Sequence, residues 1–277
     1  MNEQERQDKK DDLLYRKTVT GDYIVPIYEA AKNGGKYSQA YSTGFKTIDD
    51  ALVVKSDEGK GGVRDGDVVV VTGLSGSGKT TLCQNFAYQF DQQALPSLFF
   101  SYEVSINNLY AKFKDMGFTD DGVVFVPLKI ITGNLNWVRE KIVEAKEKYY
   151  TKMVFIDHLG FLSPSEQRTT GDQLRIILTN MVRQLKRIAV EEEVIIFLMA
   201  HTKKVHGREI EMQDIGESSG IYQEADLAMA ISRQYEEEGG VSVATNQGII
   251  KVLKNRLTGE MPYFRFVMRD NKIYEIV

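Results

Sequence analysis

Val68-Val-Val-Val-Thr72-Gly73-Leu-Ser75-Gly76-Ser77-Gly78-Lys79-Thr80-Thr81 decides the fold. The first five residues are β-branched, which suits a buried strand. The next eight match G-x-x-x-x-G-K-S/T, and a helix is expected from about Lys79 to Phe90. Glycines at Gly73, Gly76 and Gly78 let successive backbone N–H groups turn inward and cradle phosphate oxygens. The helix that follows adds the positive end of its dipole. Within this frame Ser75, Ser77 and Thr81 line or flank the cradle, Lys79 reaches terminal phosphates, and the Thr80 hydroxyl offers a ligand to Mg²⁺. ATP and Mg²⁺ are therefore the expected ligands.

Outward from this loop, short apolar runs alternate with helical patterns. Leu98–Tyr102, Val123–Val126, Met153–Ile156 and Val194–Ala200 read as buried strands. Leu174, Ile177, Leu178, Met181, Leu185, Ile188 and Ala189 fall on one face of a helix near 172–190, and Asn134–Tyr150 reads as another helix. Such a pattern predicts an α/β fold with a mainly parallel sheet covered by helices on both faces. Beyond residue 225 the helical pattern stops, and Leu227–Ser232, Ile249–Leu253, Tyr263–Met268 and Lys272–Ile276 predict mostly antiparallel C-terminal strands. No internal repeat is visible, which argues against a tandem two-domain ATPase.

Composition narrows the class. The 277 residues carry a formal charge of −4, so a uniformly basic nucleic-acid binder is excluded, though a basic groove is not. A single cysteine, Cys83, excludes an intrachain disulfide framework and points to a reducing compartment. No apolar run approaches about 20 residues, and the charged start MNEQERQDKKDD is unlike a signal peptide, so no membrane association and a cytoplasmic location are expected. Residues 1–40 read as a charged arm containing a short docking segment near Tyr23–Lys32, and residues 41–277 as the ATPase domain.

Three strand ends carry further chemistry. Asp157 closes Met153-Val-Phe-Ile-Asp157, where an acid can complete a metal site; it can equally cap a turn. Glu103 follows Leu98-Phe-Phe-Ser-Tyr and can activate water, or be a surface carboxylate before a helix. His201 closes Phe197-Leu-Met-Ala-His201, and as a lone strand-end histidine it has an ordinary packing role open to it.

Together these pieces resemble the ATPase domain of the DnaB-like hexameric replicative helicases, built on a RecA-type P-loop core. The likeness runs from about Ser42, through Ser42-Thr-Gly-Phe-Lys-Thr-Ile-Asp49 and Gly62-Val-Arg-Asp-Gly-Asp-Val68, to the C-terminus. Phe99-Phe-Ser-Tyr-Glu-Val-Ser105 is similar to the segment bearing the catalytic glutamate, and Asp157-His-Leu-Gly160 to the Walker B turn. The resemblance implies that His201 senses the γ-phosphate. It also implies that Lys254 and Arg256, in Lys254-Asn-Arg256-Leu-Thr-Gly259, act on a neighbouring subunit's nucleotide. Read as residues alone, the pair is an ordinary solvated face.

A finger in trans implies a homo-oligomeric ring, with six subunits the family expectation. Single-stranded DNA is the implied partner, held by loops 163–173 and 203–223. Arg168, Lys203, Lys204 and Arg208 would supply charge, and Gly216, Glu217, Ser218 and Ser219 belong to a motif whose relatives often carry Arg at the position of Gly216. A separate primase or helicase loader is a further expected partner. Cys83 and Trp137 read as packing residues, and His158 and His206 as histidines without further ligands at metal spacing. Two rivals remain open: a KaiC-like regulatory ATPase that ignores DNA, and a RecA/RadA-like recombination filament.

Overall fold

Alternation along the strands divides the core into two layers. Val69 and Val71 face one layer and Val68 and Val70 the other, and all four are fully buried. Phe99, Phe155, Phe197 and Met199 share the first layer, while Phe100, Val154, Ile156 and Leu198 share the second. Strands buried on both faces need helices on both sides, which the computed structural model provides. It describes residues 39–54, 59–162, 171–202, 219–238 and 241–276. The expected N-terminal arm and docking segment lie outside these residues.

In chain order the described elements are β1 (Ala40–Tyr41), α1 (Lys46–Ala51), β2 (Val63–Arg64), β3 (Val68–Gly73), α2 (Lys79–Gln92), β4 (Ser97–Ser101) and α3 (Ile106–Asp115). There follow β5 (Val124–Phe125), α4 (Leu135–Tyr149), β6 (Met153–Asp157), a 3₁₀ turn (Leu159–Leu162), α5 (Gly171–Glu191) and β7 (Ile195–His201). The chain ends in α6 (Ser219–Glu224), β8 (Leu227–Glu238), β9 (Val241–Asn255), β10 (Tyr263–Arg269) and β11 (Lys272–Ile276). The main sheet runs β11-β10-β9-β8-β3-β7-β6-β4-β5. Strands β8, β3, β7, β6, β4 and β5 are parallel, and β9, β10 and β11 continue antiparallel from β8.

The helices are set by local chemistry. Asn134 caps α4 by accepting from Trp137 N at 3.0 Å, and Ser105 caps α3 by accepting from Asn108 N at 3.3 Å. Helix α2 has Gly78 at its N-cap and no side-chain cap, which leaves its first N–H groups for a ligand. Beneath α2, Phe86 packs on Phe197 at 5.2 Å between ring centroids, Phe197 on Phe155 at 4.7 Å, and Phe155 on Phe99 at 5.3 Å. That aromatic row seats α2 across three strands and fixes the loop at its start. Trp137 and Cys83 are buried as expected.

The C-terminal strands are longer than their apolar runs. β8 reaches Glu238 and β9 begins at Val241, so a polar ribbon extends the hairpin, with register shifts at Ala228/Met229 and Arg233/Tyr235. Apolar periodicity could not reveal it, because Gln234 to Glu237 are exposed.

Asp67, in the turn before β3, accepts from Arg64 N at 2.8 Å, and burial pushes its carboxyl up to about 6, with Asp226 adding to the rise. The unfolded chain ionises this group near about pH 4. Between those values the folded state holds more protons, so stability falls as pH rises through the window and is flat above it. Asp67→Asn keeps an acceptor for Arg64 N and is expected to remove this slope. The gain above pH 7 is at most about 3 kcal/mol, read from urea melts at pH 5 and pH 7.5.

Candidate nucleotide site

Parallel strands deliver their C-terminal ends to one edge. Gly73 of β3 pairs in register with His201 of β7, and Ser101 of β4 with Asp157 of β6. The phosphate loop, Glu103, Asp157 and His201 therefore meet at the carboxyl edge, where open α/β sheets bind ligands.

The loop itself requires its glycines. A Cβ on Gly73 would lie 2.3 Å from Ser77 Oγ and 2.5 Å from the Ile231 carbonyl oxygen, and Gly78 adopts φ +102°. Ser75 and Gly76 are exposed at the loop tip, whereas Ser77 and Thr81 are buried. Lys79 Nζ donates to the carbonyls of Gly73 and Leu74, each at 3.0 Å, which holds the ammonium over the cradle. Burial lowers its pKa, while Glu103 and Asp157 oppose that shift.

Thr80 Oγ1 donates to Asp157 Oδ2 at 2.7 Å. Asp157 is fully buried, and burial pushes its carboxyl up to about 6 against that hydrogen bond, with the charge of Glu103 adding to the rise. Among the described residues its Oδ1 has no hydrogen-bond partner, and neither have the buried Ser77 Oγ and Thr202 Oγ1. Buried oxygen atoms without partners are costly. A hydroxyl and a carboxylate side by side, one carboxylate oxygen unsatisfied, fit a hard cation such as Mg²⁺.

Glu103 is exposed, two residues beyond the end of β4 rather than on the strand. One ligand atom of each of Glu103, His158 and His201 lies within 4.8 Å of the others. The His158 and His201 rings meet edge-on, 4.3 Å apart at 75°. Burial, then His201, lowers the pKa of His158. In space Glu103 and His201 thus stand beside His158, which by sequence has no further ligands at metal spacing. Its neighbours come from two other strand ends, and sequence spacing carries no signal of them.

Lys254 and Arg256 are not in this cluster. Asn255 pairs with Leu227, and Leu227 with Val69, which places them at the amino edge of β3, opposite Gly73. There Lys254 Nζ donates to the carbonyls of Tyr222 and Gln223, each at 2.9 Å, and lies over the Tyr222 ring at 5.0 Å. Arg256 donates to Asp226 Oδ1 at 3.1 Å and to the Gln223 carbonyl at 2.8 Å. Arg168, Lys203, Lys204, Arg208, Gly216, Glu217 and Ser218 lie outside the described residues; Ser219 opens α6.

The sheet order, with the phosphate loop after β3 and the acid at the end of β6, defines a P-loop domain of the RecA type. The model of the DnaB-like helicase C-terminal domain matches residues 129–272, just over half of the chain, and a KaiC ATPase model matches residues 41–122. The chain belongs to the DnaB-like helicase C-terminal domain family. It is 24% identical over 217 residues to the replicative DNA helicase DnaB of Mycoplasma pneumoniae, covering 66% of this chain and 46% of that protein. It spans a little under half the length of the curated helicase relatives it matches.

Among solved structures, an isolated ATPase domain superposes with a TM-score of 0.68 at 14% identity, covering 91% of this chain and 96% of that one. The structure of a DnaB-like replicative helicase and its interactions with primase gives the same TM-score and identity, over 98% and 71%. At that identity the two structures speak for the fold. Among the described residues no helix is long and apolar enough to cross a membrane.

Proposed function

We propose that this domain is the ATP-hydrolysing motor of a ring-shaped replicative DNA helicase, moving along single-stranded DNA. The observation that carries the reading is the meeting of Lys79, Thr80, Asp157, Glu103 and His201 at one sheet edge around an inward-turned phosphate loop.

Lys79, Thr80, Asp157, Glu103 and His201 have roles that their positions support, and the remaining roles rest on the family likeness. The backbone of Gly73–Gly78 and the Lys79 ammonium bind the phosphates, with Ser75, Gly76, Ser77 and Thr81 completing the cradle. Thr80 and Asp157 hold Mg²⁺, which when bound screens phosphate charge. Glu103 takes a proton from the attacking water. His201, beside Gly73 in the register, senses the terminal phosphate and passes its loss to the loop that follows. Lys254 and Arg256 serve the next subunit's nucleotide, so turnover depends on a homo-oligomer, by family likeness a hexamer. Arg168, Lys203, Lys204 and Arg208, with the segment Gly216–Ser219, contact the DNA backbone. A separate primase or loader is a fitting partner, and the cytoplasm of a bacterial cell or phage-infected host the fitting location.

The test is steady-state ATP hydrolysis with and without single-stranded DNA, using Lys79→Ala as the blank. A several-fold stimulation by DNA is expected, falling as salt rises because the contacts are to phosphates. The KaiC-model match over residues 41–122 supports a second reading, a regulatory ATPase. Slow turnover unchanged by DNA would replace the helicase with it.

A further inference from the structure

His158 follows Asp157 directly, yet the roles above give it nothing to do. Its ring is firmly seated. Gly160 N donates to its Nδ1 at 2.9 Å, and a Cβ on Gly160 would lie 2.6 Å from its Cε1. Phe161 packs on the ring at 4.8 Å, and His201 meets it at 4.3 Å. A nitrogen that accepts a hydrogen bond carries no proton, so the neutral ring keeps its proton on Nε2. The 3₁₀ turn Leu159–Leu162 thereby fixes the tautomer and leaves Nε2–H as the donor the ring can offer. One ligand atom of each of Glu103, His158 and His201 lies within 4.8 Å of the others, a span closed by one water or a small side-chain rotation.

We infer that His158 is a positioning residue for ATP hydrolysis: its Nε2–H holds the Glu103 carboxylate, directly or through a water, in the orientation that faces the attacking water. Glu103 is exposed and follows the end of its strand, where the Lys79 charge and the His201 ring are its other neighbours. The inference rests on the reading of Glu103 as the group that activates water. The same three side chains could suggest a zinc site, but the hydrogen bonding opposes it. A metal-bound imidazole normally donates its second N–H to an acceptor. Here the second nitrogen faces a backbone N–H, and a metal on Nε2 would set N–H against N–H.

His158→Ala and His158→Gln, the latter retaining an N–H donor, test this in the full chain. Turnover number and KM for ATP are measured alongside the affinity for a fluorescent ATP analogue and the thermal midpoint. His158→Ala is expected to lower the turnover number by about tenfold or more, with KM and analogue affinity within about twofold, and His158→Gln to recover most of the loss. An unchanged turnover number in His158→Ala overturns the inference. So does a parallel loss in both variants with a fallen thermal midpoint, which marks a packing role. Inhibition of the wild type by micromolar Zn²⁺, absent in His158→Ala, makes the cluster a metal site instead. Glu103→Gln separates the two levels. If it retains turnover, the reading of Glu103 fails and this inference with it; if it is inactive while His158→Ala is not, only the inference fails.

Discussion

Glu103→Gln is expected to reduce ATP turnover by at least about a hundredfold while nucleotide binding persists, because a positioned general base contributes about 10²–10⁴-fold. Glu103 reaches the binding machinery through its charge, which acts on Lys79 and Asp157, and not through a hydrogen bond among the described residues. Lys79 and Thr80 belong to α2, and Asp157 to β6, where each is tied into the loop by hydrogen bonds of 2.7–3.0 Å. Glu103 is exposed, beyond the end of β4, and shares its immediate surroundings with His158 and His201. Removing its charge should therefore leave the phosphate cradle intact. Lys79→Ala, by contrast, should weaken nucleotide affinity as well as turnover, since it deletes the ammonium beside the loop. Measuring analogue affinity and turnover for both variants separates the roles. Equal loss of affinity in Glu103→Gln would mean that the carboxylate holds the nucleotide or its metal, and another group would have to activate water.

The nucleotide loop was legible because its chemistry is contiguous. Gly73 to Thr80 supply donors, a cation and a hydroxyl within one turn of chain, and the strand before them is uniformly β-branched. Helix α5 was legible for a related reason, since Leu178, Met181, Leu185 and Ile188 repeat at helical spacing and are buried. Asp157 and His201 could be placed at strand ends, because an apolar run closing on a polar residue marks the edge of a parallel sheet. The environment of His158 was not legible. It is created by three strand ends that the order β7-β6-β4 brings side by side, and no local pattern encodes that order. The polar half of the β8–β9 hairpin escaped for the opposite reason. Its exposed residues have no apolar face to announce a strand, and it is held by backbone pairing together with Arg233 donating to the Thr245 carbonyl and Thr245 Oγ1 to the Gln234 carbonyl. Helix α3 carries an apolar stripe at Ile106, Leu109, Tyr110 and Phe113, of which only Leu109 and Phe113 are buried.

Arg256→Ala is expected to reduce turnover by about 10³-fold in the assembled protein, the scale of a missing arginine finger. Arg256 follows the end of β9, level with the start of β3, while the phosphate loop follows the end of β3. Six residues of strand separate the two edges, about 20 Å, far beyond the reach of one side chain. Arg256 therefore cannot serve its own chain's nucleotide, and any catalytic role must be played across a subunit boundary. Within the chain its guanidinium bonds to Asp226, which also accepts from Lys186 Nζ at 2.6 Å and from Val68 N at 2.9 Å. Asp226 thus keeps two donors when Arg256 leaves. The Arg256 side of that pair is half exposed, so its loss should cost little stability. Mixing decides between a finger and a local brace. Arg256→Ala subunits added to wild-type subunits should depress turnover more steeply than their fraction, and Arg256→Ala mixed with Lys79→Ala should regain activity. That recovery follows because interfaces then form that join an intact loop to an intact Arg256. A loss strictly proportional to the variant fraction, with no recovery in the double mixture, would confine Arg256 to its pairing with Asp226.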